Sequence, residues 1–256
     1  MIDSKDLVSA LEKGLKVIKS FDSNNRQMTL SDVSKKVDIT RASARRLLLT
    51  LESLGYVQQR ENLFSLAPKI IELGYSYFAS LPWTDLAYEN MKHVVEASKL
   101  SCSISIFDRE HIICIMRIPA TRILNEGIHV GTRLPTAYTP TGRLFMAHMP
   151  DDELVEFVKI LPLQAHTKRS IIDSNVLLEK IRSERNQSYQ IVEAELEEGL
   201  LSIAVPIYNR KKELIGAMNV GTHVSYRSAS FLKENVLNML KKAAQETTDA
   251  IVLLQY

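Results

Sequence analysis

Cysteine is nearly missing from this chain. Cys102 and Cys114 are the two it has in 256 residues, and both fall in apolar, strand-like runs. That setting reads as buried structural thiol, and nothing in the sequence supports a redox switch between them. Long hydrophobic runs are missing too: none approaches the roughly 20 residues that a membrane span needs. The N-terminus holds acidic residues and no apolar core, so no signal peptide is expected and the chain is expected in the cytoplasm. Charge of one sign is not in excess, with 32 Lys and Arg against 30 Asp and Glu and a formal net charge of +2. A global basic field, as of a protein that coats nucleic acid, is thereby excluded. The motifs of common enzyme classes are absent: no GxxxxGK[ST] loop to cradle phosphate, no GxSxG nucleophile elbow, no HExxH helix. The six histidines (His93, His111, His129, His148, His166, His223) are scattered without ligand spacing. No metal site, cofactor or catalytic group is therefore assigned.

What the chain does have is concentrated in residues 28–66, MTLSDVSKKVDITRASARRLLLTLESLGYVQQRENLFSL. A short amphipathic segment, Leu30 to Val37, meets a tight turn at Asp38-Ile39. A second amphipathic segment follows, with Thr40 placed to cap its free N–H groups. Ala44, Leu47, Leu48, Leu51 and Leu54 recur at helical spacing and are expected to face the core. Arg41, Ala42, Ser43, Arg45 and Arg46 then lie on the outward first turns, where a recognition helix enters the major groove. Arginine suits that place, because its planar fork bonds a guanine edge or a phosphate. Gly55 stops the helix. Tyr56-Val57 and Phe64-Ser65-Leu66 read as wing strands around a tip at Arg60-Glu61-Asn62. The order is that of a winged helix-turn-helix. With Thr29 at the start of the first segment, Thr40, Arg41, Ala42, Ser43, Arg45, Arg46 and Arg60 are the candidate contacts to a double-stranded DNA operator. Three arginines on a solvated helix are the bland alternative; the turn and the wing argue against it.

Around this core of the reading, Leu7–Phe21 predicts a first helix whose inner face carries Leu7, Ala10, Leu11, Leu15 and Ile18. Pro68 opens another helix over 68–80, as proline favours a first helical position. Its apolar residues are too many for one core face, so this linker helix is expected to pack against a second copy of the chain, making a dimer or tetramer. Further on, a helix over Asp85–Lys99 precedes strands at Ser101–Phe107 and Ile112–Met116, joined by a turn at Asp108–Glu110. Ile123–Val130 reads as strand or loop. A loop from Gly131 to Pro140 enters an apolar helix over Thr141–His148, and helices follow near 151–160 and 174–185. Strands are predicted at Tyr189–Val192, Leu201–Tyr208 and Glu213–Val220, with a turn at Asn209–Lys212, and a long helix from about Ser230 to Leu254. The fold class is α+β, with an antiparallel sheet flanked by helices in the second part. The expected division is a reader at 1–67, a linker helix at 68–82 and a sensor at 83–256. Charge follows it: residues 1–80 hold 12 Lys and Arg against 9 Asp and Glu, and the remainder 20 against 21. A slightly basic reader joined to a neutral sensor is the distribution of a regulator.

The loop Thr136–Arg143 is the best ligand candidate on physical grounds. Thr139 caps a helix whose first residue is Pro140, which leaves the N–H groups of Thr141 and Gly142 to attract a carboxylate. Tyr138 fits either as a platform for an aromatic ligand or as core. Arg122 and Arg133 are candidates for a second carboxylate, and equally fit as surface residues.

Nearly the whole chain resembles the IclR family of bacterial transcription regulators. The runs that carry the likeness are ITRASARRLLLTLESLGYV in the reader, and VGTRLPTAYTPTGRLFMA and EAELEEGLLSIAVPIYNRKKELIGAMNVGT in the sensor. The resemblance implies DNA binding as dimer or tetramer and a GAF-like domain that senses a small organic acid. It places the effector among the loop above and the strands around 201–220, which adds Glu195, Ser202 and Met218. ARRLLLTLESLGYV and VGTRLPTAYTPTGR further resemble regulators of the β-ketoadipate pathway, which handle protocatechuate or 4-hydroxybenzoate. The chain departs from the pattern at Arg143, where lysine is usual, and at Met218, where some members hold serine. Some relatives bind zinc in this pocket, so a metal site assembled in three dimensions stays open beside the reading without one. Two rival functions stay open as well: a metal-dependent enzyme, and a winged-helix module whose second domain binds another protein. Salt-dependent binding to a defined promoter fragment, and the absence of ligand turnover, separate the regulator from both.

Overall fold

The structure, a computed structural model, describes residues 6–120 and 127–254. The chain divides into two compact units, Met1–Leu81 and Pro82–Tyr256.

In the first unit, helices α1 (Ser9–Ser20), α2 (Leu30–Val37) and α3 (Arg41–Ser53) precede a small antiparallel sheet of order β1-β3-β2. Its strands are β1 (Met28–Thr29), β2 (Val57–Arg60) and β3 (Leu63–Leu66). Local chemistry explains the helix boundaries. The Thr29 hydroxyl and the Asp32 carboxylate cap each other's backbone N–H at the start of α2, a reciprocal arrangement that satisfies two free donors. Asp38 ends α2 in the left-handed region at φ 54°, where Asp and Asn are tolerated better than other residues. The Thr40 side chain accepts from the Ser43 N–H at 3.2 Å. Val17, Val33, Ala44, Leu48 and Phe64 form the core.

Three expectations are corrected here. The inner face of α1 is rotated from the expected one: Val17 is fully buried and Ile18 packs against the core as expected, while Leu11 and Leu15 are exposed, as is Leu7 before the helix. α1 rests on α3 with Gly14 facing the Leu47 side chain, and leaves Leu11 and Leu15 outside. Leu54 is exposed as well, because it lies one residue past α3. The wing tip is shorter than expected, with Arg60 inside β2 and only Glu61-Asn62 between the strands. After the wing, Pro68–Ile70 makes a single 3₁₀ turn and Ile71–Ala79 forms α4, no residue of which is buried.

The second unit is a six-stranded antiparallel sheet of order β6-β5-β4-β9-β8-β7. Its strands are β4 (Ser101–Asp108), β5 (His111–Ile118), β6 (Arg133–Pro135), β7 (Gln190–Glu193), β8 (Leu200–Tyr208) and β9 (Leu214–His223). Helix α5 (Thr84–Ser98) packs on it beside the C-terminal helical run. That run is Ala229–Phe231 (α9), a π-helical segment Leu232–Val236, and Leu237–Leu253 (α10). Helices α6 (Pro140–His148), α7 (Asp151–Ile160) and α8 (Ser174–Glu184) form the other layer. The β8–β9 turn works without glycine because Asn209 Oδ1 accepts from the N–H groups of Lys211 and Glu213. The segment read as a strand or loop at Ile123–Val130 lies partly outside the described residues; from Gly127 to Val130 it is not strand.

Side-chain alternation gives the sheet two different faces. Cys102, Ile104, Ile203, Val205, Met218 and Val220 are large, apolar and buried on one. Ser101, Ser103, Ser105, Ala204 and Ala217 are small and buried on the other. Leu144 of α6 packs on Ala204 and Ala217, so α6 lies over the small-residue face. Burial raises the pKa of both cysteine thiols, in keeping with structural thiols.

Candidate functional site

Two surfaces carry chemistry. On the first unit, Arg41, Ala42, Arg45 and Arg46 are exposed on the outward side of α3, and Arg60 at the end of β2. Ser43 is partly exposed. None of the four arginines has an ion-pair partner among the described residues. Their charges are therefore free for an external anion. The hydroxyls of Thr29 and Thr40 are engaged in capping, so each holds a helix start in place. Arg26, Gln27 and Gln58 border an open polar cleft beside the wing. The charge and helix patterns did not single them out, since they lie outside both amphipathic segments.

On the second unit, small side chains on one sheet face leave space beneath α6. A small cavity, partly open to solvent, lies there. Ser103, Ser105, Ser202 and Asn219 form its floor, and Tyr138, Thr139, Pro140 and Thr141 its roof. Glu195 closes one side. Of the nine residues expected to hold an effector, Tyr138, Thr139, Thr141, Glu195 and Ser202 meet here.

Three of the others do not, and the fourth is not described. Arg122 lies outside the described residues. Arg133 is exposed and paired with Asp108 at 2.5 Å. Met218 is fully buried on the opposite face, because its neighbour Asn219 takes the cavity side. Gly142 is turned inward: a Cβ there would stand 2.1 Å from the Thr136 carbonyl oxygen. Its N–H donates to Thr139 Oγ1 at 3.1 Å. Of the two N–H groups expected to be free, that of Gly142 is thus taken, which leaves only that of Thr141 as a candidate.

The Thr141 hydroxyl is buried without a hydrogen-bond partner. A buried polar atom left unpaired costs about 1–3 kcal/mol, and this one belongs to a residue that lines the cavity. Tyr138 is buried, with its hydroxyl accepting from the Gln164 N–H at 2.8 Å and its ring edge-on to His166. It is therefore both core and cavity roof. Behind the roof, Arg143 is fully buried. Its Nε donates to the Ala137 carbonyl at 3.2 Å and its Nη2 to Glu195 Oε2 at 2.5 Å. Burial pushes the pKa of Arg143 down and of Glu195 up, and each charge opposes the other's shift. Sequence reasoning missed Ser103, Ser105 and Asn219. Its available signal was the period-two serine run from Ser101 to Ser105, which puts hydroxyls where a core face would carry aliphatics. Among the described residues no group of three or more His, Cys, Asp or Glu could hold a metal ion, and no helix is long and apolar enough to cross a membrane.

Comparison with known proteins agrees with both halves. Residues 10–61 match the IclR helix-turn-helix domain, and residues 75–249 match the bacterial transcriptional regulator IclR C-terminal domain. The Pca regulon regulatory protein of Pseudomonas putida is 34% identical over 94% of this chain and 83% of its own. The p-hydroxybenzoate hydroxylase transcriptional activator of Acinetobacter baylyi is 27% identical over 98% of this chain and 94% of its own. The crystal structure of RHA06195 from Rhodococcus sp. RHA1 superposes with a TM-score of 0.87 at 37% identity, covering 97% of this chain and 100% of that one. An IclR homologue from Microbacterium hydrocarbonoxydans, complexed with 4-hydroxybenzoate, shares the fold with a TM-score of 0.81 at 18% identity, over 95% and 99%. With a winged reader of free arginines and a sensor cavity under α6, matched along nearly its whole length, the chain belongs to the IclR family of bacterial transcriptional regulators.

Proposed function

We propose that this regulator senses a small aromatic carboxylic acid in the cavity beneath α6 and controls catabolic genes accordingly. The observation that carries the reading is the unpartnered, buried Thr141 hydroxyl on the wall of the cavity, since small-molecule sites are mostly apolar clefts with a few placed polar groups. The names of two relatives, and 4-hydroxybenzoate in a third, support the aromatic class. Tyr138, Thr139, Thr141, Glu195 and Ser202 are the effector residues in this reading. Arg41, Arg45, Arg46 and Arg60 meet the operator, with Ala42 and Ser43 beside them and Thr29 and Thr40 bracing the helix starts. The reader spans 1–67, the linker helix 68–82 and the sensor 83–256. The exposed apolar faces of α1 and α4 support a dimer or tetramer. Its place of work is the cytoplasm, where the operator is.

The test is thermal unfolding of the full chain with 4-hydroxybenzoate or protocatechuate, beside gel-shift titration of a promoter fragment. A ligand at a hundredfold excess over Kd adds about 2.7 kcal/mol, enough to move Tm by a few degrees. If millimolar aromatic acids change neither melting nor DNA binding, the aromatic reading falls. Family membership stands, and short aliphatic acids come next.

A further inference from the structure

One side chain on the cavity face of the sheet carries a charge that no carboxylate among the described residues answers. Arg117 is half-buried on β5, and its Nη1 donates to Ser103 Oγ at 3.0 Å. Ser103 is buried and lines the cavity. No carboxylate pairs with Arg117 among the described residues; the titratable groups near it are the thiols of Cys114 and Cys102.

The backbone is built to bring it there. β4 and β5 pair Ser105 with Cys114 but Ile104 with Met116, so Ile115 is an extra residue in β5. A bulge re-aims the side chains beyond it. Ile112 lines the cavity, and plain alternation from it would carry Cys114 and Met116 to that side and turn Arg117 away. The extra residue turns Arg117 back, directly opposite Ser103.

The Glu195 side of the cavity carries no net charge, because that carboxylate is paired with Arg143. It therefore offers a ligand carboxylate no net attraction, while a ligand hydroxyl meets an acceptor there. The α6 start offers less than its motif promised, since the Gly142 N–H is taken by Thr139. We propose that Arg117, positioned by the β5 bulge and by Ser103, holds the carboxylate of the effector, with the ring hydroxyl of a hydroxybenzoate directed toward Glu195 and Thr141. This rests on the reading of the cavity as an aromatic-acid site and reverses the ligand orientation that the helix start alone suggests.

Isothermal titration of the full chain with 4-hydroxybenzoate and with its neutral isostere 4-hydroxybenzamide tests it. The wild type should prefer the acid by about tenfold or more. Arg117→Met should lose about ten- to a hundredfold in affinity for the acid and keep its affinity for the amide, so the preference disappears. Arg117→Lys should restore part of it. Ligand-free melting within a few degrees of wild type checks the fold, and Arg117→Gln replaces the methionine variant if that one melts low. An undiminished acid preference in the Met or Gln variant overturns the assignment while leaving the effector class standing; Thr141→Val would then be the variant that loses it. Equal loss for acid and amide also overturns it, since Arg117 would then be holding only the sheet. A wild type that binds neither compound removes the aromatic reading, and this orientation with it.

Discussion

Arg143 and Glu195 meet with the guanidinium fully buried and the carboxylate nearly so. Such a pair is a weak source of net stability, because the cost of desolvation rivals the attraction. Breaking it is another matter: the remaining charge stays buried and unanswered. Arg143→Met should therefore destabilise the sensor by about 3–5 kcal/mol in urea melts. Arg143→Lys, the residue the family resemblance leads one to expect, keeps the charge and loses the Ala137 bond, a cost of about 1 kcal/mol. The pair has a pH signature. Burial holds the Glu195 pKa above the ordinary carboxylate value, so the folded state takes up a proton that the unfolded chain releases. Its contribution to stability is full below the unfolded value of roughly 4.3 and is lost as pH rises through the folded value. Glu195→Gln should flatten that part of the stability–pH curve; an unchanged slope would show that Glu195 titrates normally. Gly142 carries a different constraint. It was expected to leave room for a carboxylate, yet what it makes room for is the Thr136 backbone. Gly142→Ala should cost about 3 kcal/mol or more through overpacking, and the loss should be as large without ligand as with it.

At the scale of elements, α3 is the part whose role is most directly testable. Arg41, Arg45 and Arg46 are exposed and unpaired on its outward turns, so Arg46→Ala should weaken operator binding by about 1–3 kcal/mol in gel-shift titration while the melt stays unchanged. If the contact is to phosphate, the loss will be uniform across sequences and the salt slope shallower. This element was legible in the sequence because one helix face had to alternate with the other at 3.6 residues, and because Thr40 and Gly55 mark its ends. α1 was harder. Its apolar residues spread from Leu11 and Leu15 round to Val17 and Ile18, and periodicity cannot say which part meets the core. β1 has two residues and β6 three, too few for alternation to register. The helix start at Pro140 was readable from Thr139 and proline, but the state of its amides was not. Whether the Gly142 N–H is free depends on the rotamer of Thr139, and whether a Cβ fits depends on Thr136. The bulge at Ile115 left no local mark either, since it exists only in the register between β4 and β5. Hence the cavity roof and Ser202 were named from the sequence, while Ser103, Ser105 and Asn219 of the floor and Arg117 beside them were not.

At the scale of the molecule, the unburied apolar surface is the feature that a single chain does not explain. α4 buries no residue, with Ile71 70% and Tyr75 67% exposed, and α1 leaves Leu11 and Leu15 in contact with solvent, beside Leu7 ahead of it. Contiguous apolar patches on a soluble protein mark interaction surfaces, and both belong to the unit that reads DNA. A second copy of the chain is the occupant that also suits the reader, because two-fold related recognition helices fit half-sites set an integral number of turns apart, each of about 10 base pairs. Light scattering at micromolar concentration should therefore report a multiple of the 29.0 kDa chain. Ile71→Glu combined with Tyr75→Glu should shift that mass toward one chain and weaken operator binding far more than it weakens effector binding. The sensor's ligand contacts lie on the second unit, so its thermal response to acid should persist in this variant. If the wild type already scatters as one chain, the exposed faces of α1 and α4 are not a self-association surface, and the reader must engage its operator one half-site at a time.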